Sequence, residues 1–404
     1  MTGGVYRLKV KGPQDFFLTG NPQHNFISQV YLRHYNFSSE IFSLNFDNGD
    51  GDYSKKLEIS IPRKGDYIRK MYLQLTLGNL VKTSGMYAGW TNSVGHAIID
   101  YVDLIIGGTI IDRQYGLYMN IHDELYDSSG INSAEGLLVG RYSHIGSLER
   151  SGLSDSKYII PLKFWFCENT GSSLPLYKLS YQTVKISIKL RNFDECIVYD
   201  GLTPPTGGFI KETKLLVEYM YIDEVMRKKD LDSKSEVLIT QVQSLYGEEL
   251  NGKFFNSILE FNHPCSELVF VLREDQNEKN NDWFNFSVRN INIATPVRPI
   301  LKYASLFADN REIMEKSDEF TLRILNGLRY RKFSTNKHIY TISFADDLTK
   351  WYPNGTLNFS MISTPKLAIV LNDYATDVTR LYIFVKNFNV VTFNNGMLSL
   401  SYSN

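Results

Sequence analysis

The side chains of this chain that could do chemistry are many, but few are spaced to act together. The 7 histidines are scattered, and none lies four residues from another on a helical face. A zinc centre needs several ligands to converge, so each histidine is expected in a hydrogen-bonded structural role. No H-E-x-x-H and no G-x-S-x-G occurs. The one Gly-Lys pair, Gly252-Lys253, runs on into Phe254-Phe255 and lacks the Ser or Thr of a phosphate-binding loop. Asp47-Asn48-Gly49-Asp50-Gly51-Asp52 gathers carboxylates as a calcium loop does. It lacks the glycine and closing glutamate of an EF-hand and reads as a solvated turn. Asp194-Glu195 and Asp346-Asp347 are adjacent carboxylates, and on a strand neighbours point to opposite faces, which argues against joint acid–base work. No catalytic residue, metal or cofactor is expected.

Three cysteines, Cys167, Cys196 and Cys265, are an odd number at wide spacing, and reduced, partly buried thiols are the expectation. The densest basic clusters are Lys228-Lys229 and Arg329-Tyr330-Arg331-Lys332. The second interleaves an aromatic, as single-strand nucleic-acid binders do. It reads instead as a strand or hairpin turning its charges to water or to a neighbouring molecule. Sequons stand at Asn36, Asn285, Asn354 and Asn358, of which Asn285 and Asn354 are the glycosylation candidates.

The elements that must carry these residues are β-strands. Tyr (26) and Phe (24) are abundant among 404 residues, and such side chains suit half-buried pleated surfaces. The formal net charge of −1 gives no basic face for wrapping nucleic acid. The amino terminus lacks a signal-peptide core, and the richest apolar stretch, 98–111, is interrupted by Asp100 and Asp103 and is too short to span a bilayer. Apolar residues alternate with polar ones in 57–61, 71–77 and 184–190, each burying one face. Gly107-Gly108 between two Ile-rich runs predicts a tight hairpin. Gln114 to Leu125 and Leu301 to Phe307 read as short helices in connections.

The same series of elements appears twice in the same order. Leu57–Pro62 is echoed by Leu259–Pro264, and Met71–Leu77 by Leu268–Leu272. Ile105-Ile106-Gly107-Gly108 is echoed by Ile324-Leu325-Asn326-Gly327, and 171–188 by 355–369. Leu215–Tyr219 is echoed by Leu381–Val385. Two copies of this length predict a duplicated β-sandwich rather than a short-repeat solenoid. The charged stretch Asp223–Asp230 marks the boundary.

Gln14–Gln23 with Gly20-Asn21-Pro22, followed by Val30–Phe37, resembles the N-terminal signature of the major capsid proteins of nucleocytoplasmic large DNA viruses. Pro62-Arg63-Lys64-Gly65-Asp66 is similar to that family's Arg-x-Gly-Asp turn. Phe261-Asn262-His263-Pro264 resembles the start of its second jelly roll, and Lys386-Asn387-Phe388 with Gly396-Met397 its last strand. The resemblance is closest to algal and giant-amoebal virus capsid proteins. With Gly107 and Gly108, these residues are the motif positions: Gly20, Asn21, Pro22, Pro62, Arg63, Gly65, Asp66, Asn262, Pro264 and Asn387.

The resemblance implies an all-β chain of two tandem eight-stranded jelly-roll sandwiches, a double jelly roll, with short helices in its connections. The expected division is an arm over 1–24, a first roll over 25–223, a linker over 224–236 and a second roll over 237–404. It implies a structural protein of the virion shell, not an enzyme. It further implies a homotrimer of pseudo-hexagonal outline tiling an icosahedral capsid. The partners would be neighbouring capsomers and minor capsid and penton proteins, with an internal membrane nearby but not spanned and no direct nucleic acid. Assembly would take place in the host cytoplasm. The rival readings are a glycan- or receptor-binding sandwich of the virion, a sandwich glycosidase, and a minor capsid paralogue of the same fold.

Overall fold

A computed structural model describes residues 2–15, 19, 21, 34–49, 51–127, 134–142, 152–231, 235–250, 252–288, 298–375 and 378–402. The chain divides into two compact units, Met1–Phe37 and Ser38–Asn404. In the first, Gly3–Lys9 forms a helix with no buried residue, followed by a 3-10 turn at Pro13–Asp15. Both sandwiches lie within the second unit apart from the opening residue of the first strand.

The principal strands of the first roll are β1 (Phe37–Leu44), β2 (Lys56–Ser60), β3 (Tyr67–Leu77), β4 (Ile99–Ile106), β5 (Thr109–Tyr115), β6 (Ser156–Pro161), β7 (Val184–Leu190) and β8 (Ile210–Ile222). Those of the second are β9 (Ser235–Leu250), β10 (Phe254–Ile258), β11 (Pro264–Glu274), β12 (Leu301–Ala308), β13 (Arg311–Asp318), β14 (Ile339–Ser343), β15 (Lys366–Leu371) and β16 (Thr379–Asn394). The sheet orders are β1-β8-β3-β6 and β2-β7-β4-β5 in the first roll, and β9-β16-β11-β14 and β10-β15-β12-β13 in the second. Each strand of the first roll has its counterpart eight strands later, so the second roll repeats the first pairing for pairing. Two four-stranded antiparallel sheets with this interleaved order are a jelly roll.

Alternation builds each sandwich. Leu57 and Ile59 on β2, Leu73, Leu75 and Leu77 on β3, and Val184, Ile186 and Ile188 on β7 are buried in one core. Leu268, Phe270 and Leu272 on β11 meet Leu381, Ile383 and Val385 on β16 in the other. Each fully buried aliphatic side chain contributes roughly 1.5–3 kcal/mol, and Ile239 of β9 with Val391 and Phe393 of β16 extend the first core into strands of the second roll. At Gly107-Gly108, φ values of +60° and +88° close the β4–β5 hairpin, with Ile106 opposite Thr109. Helix α1, Gly116–Tyr126, occupies the predicted 114–125 region. Its first residue must be glycine, because a Cβ there would meet the carbonyl oxygens of His96 and Ile99 at 2.2 and 2.3 Å.

Four expectations are corrected. Leu301–Phe307 is not a helix but strand β12. Its pairings shift register on both sides, and these bulges break period-2 alternation into a spacing that imitates a helix. Ile324–Gly327 is no hairpin, since Thr321–Leu325 is a π-helical turn running into helix Asn326–Arg331. The true counterpart of Gly107-Gly108 is Asp309-Asn310, with φ values of +48° and +64° and Ala308 opposite Arg311. Asp and Asn supply there, without glycine, the left-handed turn a hairpin needs. Leu259 is the counterpart of Ile61, not of Leu57: the amide of Ile61 donates to the Val184 carbonyl, as that of Leu259 does to Pro365. Finally, Arg329–Lys332 lies on a helix and its end, not on a strand, and Arg331 is buried on Glu267 rather than facing water. The echo of 171–174 at 355–357 does match, since Leu174 pairs with Ile68 on β3 and Leu357 with Cys265 on β11.

Candidate functional site at the seam between the two rolls

Helix α1 leaves the first roll between β5 and β6 and lies on the second. Its residues Leu117, Tyr118, Ile121 and Leu125 form a third apolar cluster with Val269 and Val271 of β11, Ile339 of β14, and Tyr382 and Phe384 of β16. Leu117, Ile121 and Leu125 stand four residues apart, one stripe of a helix. The receiving side chains alternate with those of the second core, so the outer face of that sheet is apolar too.

Around this cluster runs a buried network of charges. Asp123 of α1 lies 2.7 Å from the ammonium of Lys163 and 3.4 Å from His96 Nε2. Glu124 meets Lys337 of the second roll at 3.0 Å and Arg141 at 3.5 Å. Glu168 reaches Lys386 on β16 at 2.8 Å and His122 at 3.3 Å. Tyr126 donates to Glu267 at 2.7 Å, and Glu267 also holds Arg331. Burial pushes the Asp123 carboxyl up, but His122, His96 and Lys163 outweigh it and hold the group well below the usual carboxylate range. Burial likewise works against Glu168, and Lys386 and His122 bring it below its ordinary value. Burial lowers His96 to about 4, with Asp123 opposing, so the imidazole is neutral near pH 7. Buried opposite charges held by extra hydrogen bonds specify one geometry more than they add stability.

A second patch closes the seam. Asn281 donates to the carbonyls of Asp194 and Ile197 at 2.6 and 2.8 Å, and Trp283 Nε1 to that of Glu195 at 2.7 Å. The Asp194-Glu195 pair thus sits in a 3-10 turn, Phe193–Glu195, whose backbone serves the contact between rolls. A cavity of about 550 Å³ opens beside the seam, walled by Trp165 and Glu168 of the first roll and by Trp351, Tyr352 and Lys386 of the second.

The described motif residues fall outside this seam, and most of them hold turns. Arg63 donates to the carbonyls of Leu179, Ser180 (3.1 Å) and Gln182 (3.0 Å), and the Pro62 carbonyl accepts from Tyr219 Oη at 2.7 Å. Asp66 accepts from the Ile222 amide at 3.0 Å and from Arg227 at 3.2 Å. Gly65 lies so close to Tyr219 that an added Cβ would stand 2.7 Å from the tyrosine's own. Together they bind the β2–β3 turn to the end of β8. The Asn262 backbone is bracketed by the Gln243 side chain, which accepts from its amide at 2.9 Å and donates to its carbonyl at 2.7 Å. Pro264 opens β11, and Asn387 is buried opposite Cys265. Asn21 is exposed with φ of +48°, whereas Gly20 and Pro22 lie outside the described residues. Asn285 Nδ2 is bound to Asp282 at 2.8 Å, and Asn354 Nδ2 to the Asp347 carbonyl at 2.7 Å. The thiols of Cys167, Cys196 and Cys265 are each pushed up to about 12 by burial. Among the described residues, no group of three His, Cys, Asp or Glu side chains could hold a metal. No helix there is long and apolar enough to cross a membrane.

Sequence reasoning missed the seam. Nothing marks Glu168 and Lys386 as partners, because their pairing exists only once two sandwiches are side by side, and Asp123 meets Lys163 only once α1 has folded against the rest of the first roll. The one available signal was α1 itself, an amphipathic helix in a chain of strands.

Residues 25–223 match the family described as "Major capsid protein N-terminus", and residues 227–399 that of the "Large eukaryotic DNA virus major capsid protein". The major capsid protein of Pyramimonas orientalis virus is 31% identical over an alignment covering 100% of both chains. The chain belongs to the major capsid proteins of large eukaryotic DNA viruses. That of Phaeocystis pouchetii virus is 33% identical over 69% of this capsid protein, a stretch spanning 59% of that relative's own length. A quasi-atomic model of the PBCV-1 virus capsid shares the fold with a TM-score of 0.81 at 21% identity, covering 94% of this chain and 100% of the other. The Faustovirus major capsid protein does so at 0.75 and 10% identity, covering 95% and 94%. The fold is therefore the double jelly roll and the role structural, as a major capsid component of the virion.

Proposed function

We propose that this capsid protein is the subunit of a homotrimer with a pseudo-hexagonal outline, and that such trimers tile the faces of a large icosahedral shell. The observation that carries this reading is the strand-for-strand repetition of the first roll by the second. Three chains of two like sandwiches present six like lateral faces, which suits hexagonal packing under threefold symmetry. The divisions that go with it are an arm over 1–24, rolls over 25–223 and 237–404, and a linker over 224–236 that contains helix Glu224–Leu231. Of the motif residues Gly20, Asn21, Pro22, Pro62, Arg63, Gly65, Asp66, Gly107, Gly108, Asn262, Pro264 and Asn387, those from Pro62 to Asn262 act by fixing turns, and Pro264 and Asn387 act within strands β11 and β16. The protein has no catalytic role. Its partners are neighbouring capsomers and minor capsid and penton proteins, with a membrane inside the shell and the genome beyond it. Assembly proceeds in the host cytoplasm.

Negative-stain images of purified protein test the capsomer. Class averages with threefold symmetry and a six-lobed outline are expected, and two-lobed single chains would overturn it. Residues 1–24 are read as the arm that contacts the capsid underside or minor capsid proteins, in keeping with the exposure of helix Gly3–Lys9. Their deletion is expected to leave trimers intact and impair shells; normal shells would refute that role.

A further inference from the structure

In each roll a helical connection crosses from the edge of one sheet to the edge of the other. In the first roll it is α1, and its stripe of Leu117, Ile121 and Leu125 is buried on the outer face of the β9-β16-β11-β14 sheet. In the second it runs through the π-turn Thr321–Leu325 into helix Asn326–Arg331. There Leu322 is fully buried in the roll's own core, while Phe320, Leu325 and Leu328 stand 59%, 51% and 62% exposed. Three large apolar side chains on one short helical segment are left without cover.

The receiving face also has a counterpart. Under α1, Val269 and Phe384 sit directly opposite each other on β11 and β16 and are buried. At the same places in the first roll, Tyr72 and Leu216 face each other on β3 and β8 and are only partly buried. The chain thus carries two copies of a helix-on-sheet joint: one is made within the chain, and in the other the helix is exposed and the sheet only partly covered.

We propose that the Phe320–Leu325–Leu328 segment of one copy docks on the outer face of the β1-β8-β3-β6 sheet of a second copy, over Tyr72 and Leu216. The joint between chains then reproduces the one inside the chain. This inference rests on the trimer reading and names its interface. The contact is heterologous, helix of one copy on sheet of the next, and such a contact closes into a ring when the rotation permits. A ring of three copies would carry six like seams, alternately within and between chains.

The test uses the full chain. Leu325→Asp with Leu328→Asp places charge in the proposed joint at positions that are exposed in the single chain. Leu202→Asp, at a fully exposed leucine in a different loop, serves as control. Solution mass is read by light scattering and folding by circular dichroism. The expected result is a trimer for wild type and for Leu202→Asp, and a folded single chain for the double variant. A double variant that remains trimeric overturns this proposal and leaves the trimer reading standing. A wild type that is a single chain at every concentration overturns both. Should the double variant fail to fold, hydrogen exchange on wild type decides, comparing trimer with diluted single chain. Protection gained in 320–331 and on β3 and β8 supports the joint, and unchanged exchange in those segments refutes it.

Discussion

The most constrained residues of this capsid protein hold turns rather than catalyse. Gly65 shows why: any side chain would collide with Tyr219, whose hydroxyl is tied to Pro62. Gly65→Ala is expected to destabilise the fold by about 1–3 kcal/mol, the usual cost of overpacking, read as a lower urea midpoint at unchanged slope. Two buried groups set opposing pH dependences. Burial lowers His96 from 6.5 to about 4, so the unfolded chain takes up this proton first and stability falls as pH drops from 6.5 towards 4. Burial raises Asp112 from 3.8 to about 7, against hydrogen bonds from the Val242 amide and Gln114, so stability rises as pH drops through that window. Wild type should therefore vary less between pH 7 and 4.5 than either single variant. Asp112→Asn should steepen the loss towards acid, and His96→Gln should reverse its sign. Parallel profiles for the three proteins, in unfolding midpoints across that range, would contradict the assignment.

At the scale of elements, the sequence was legible where alternation is clean and misleading where a bulge or an unmarked turn intervenes. β2, β3 and β7 could be read off directly, because each buries alternate residues. β12 could not, since register shifts on both flanks disturb its alternation. The β12–β13 turn was overlooked because Asp309-Asn310 lacks the glycines that flag its counterpart. Helix α1 was legible as a helix, but its purpose was not, since its docking face belongs to residues more than a hundred positions away. That purpose yields a prediction. Ile121→Ala removes a fully buried side chain from the seam and should cost roughly 2–5 kcal/mol. Because the loss falls in the cluster that joins the two rolls, thermal unfolding should also broaden or split, the two rolls melting less cooperatively. A single sharp transition at the wild-type midpoint would show that the seam does not couple them.

At the scale of the whole molecule, duplication is the organising fact, and its order was visible in sequence even where some of the aligned segments were misplaced, Leu215 for one matching Ile383 and not Leu381. The seam was invisible for a physical reason. The charges of Glu168 and Lys386 look like ordinary surface residues until two sandwiches bring them together. The same logic extends to the shell, because a chain that repeats itself can repeat its internal contact with a neighbour. The most direct test is the mass of the purified protein in solution, by light scattering on a sizing column. The account predicts a stable species near three times the 46.5 kDa chain. A homogeneous species of one chain, unchanged on concentration, would contradict it.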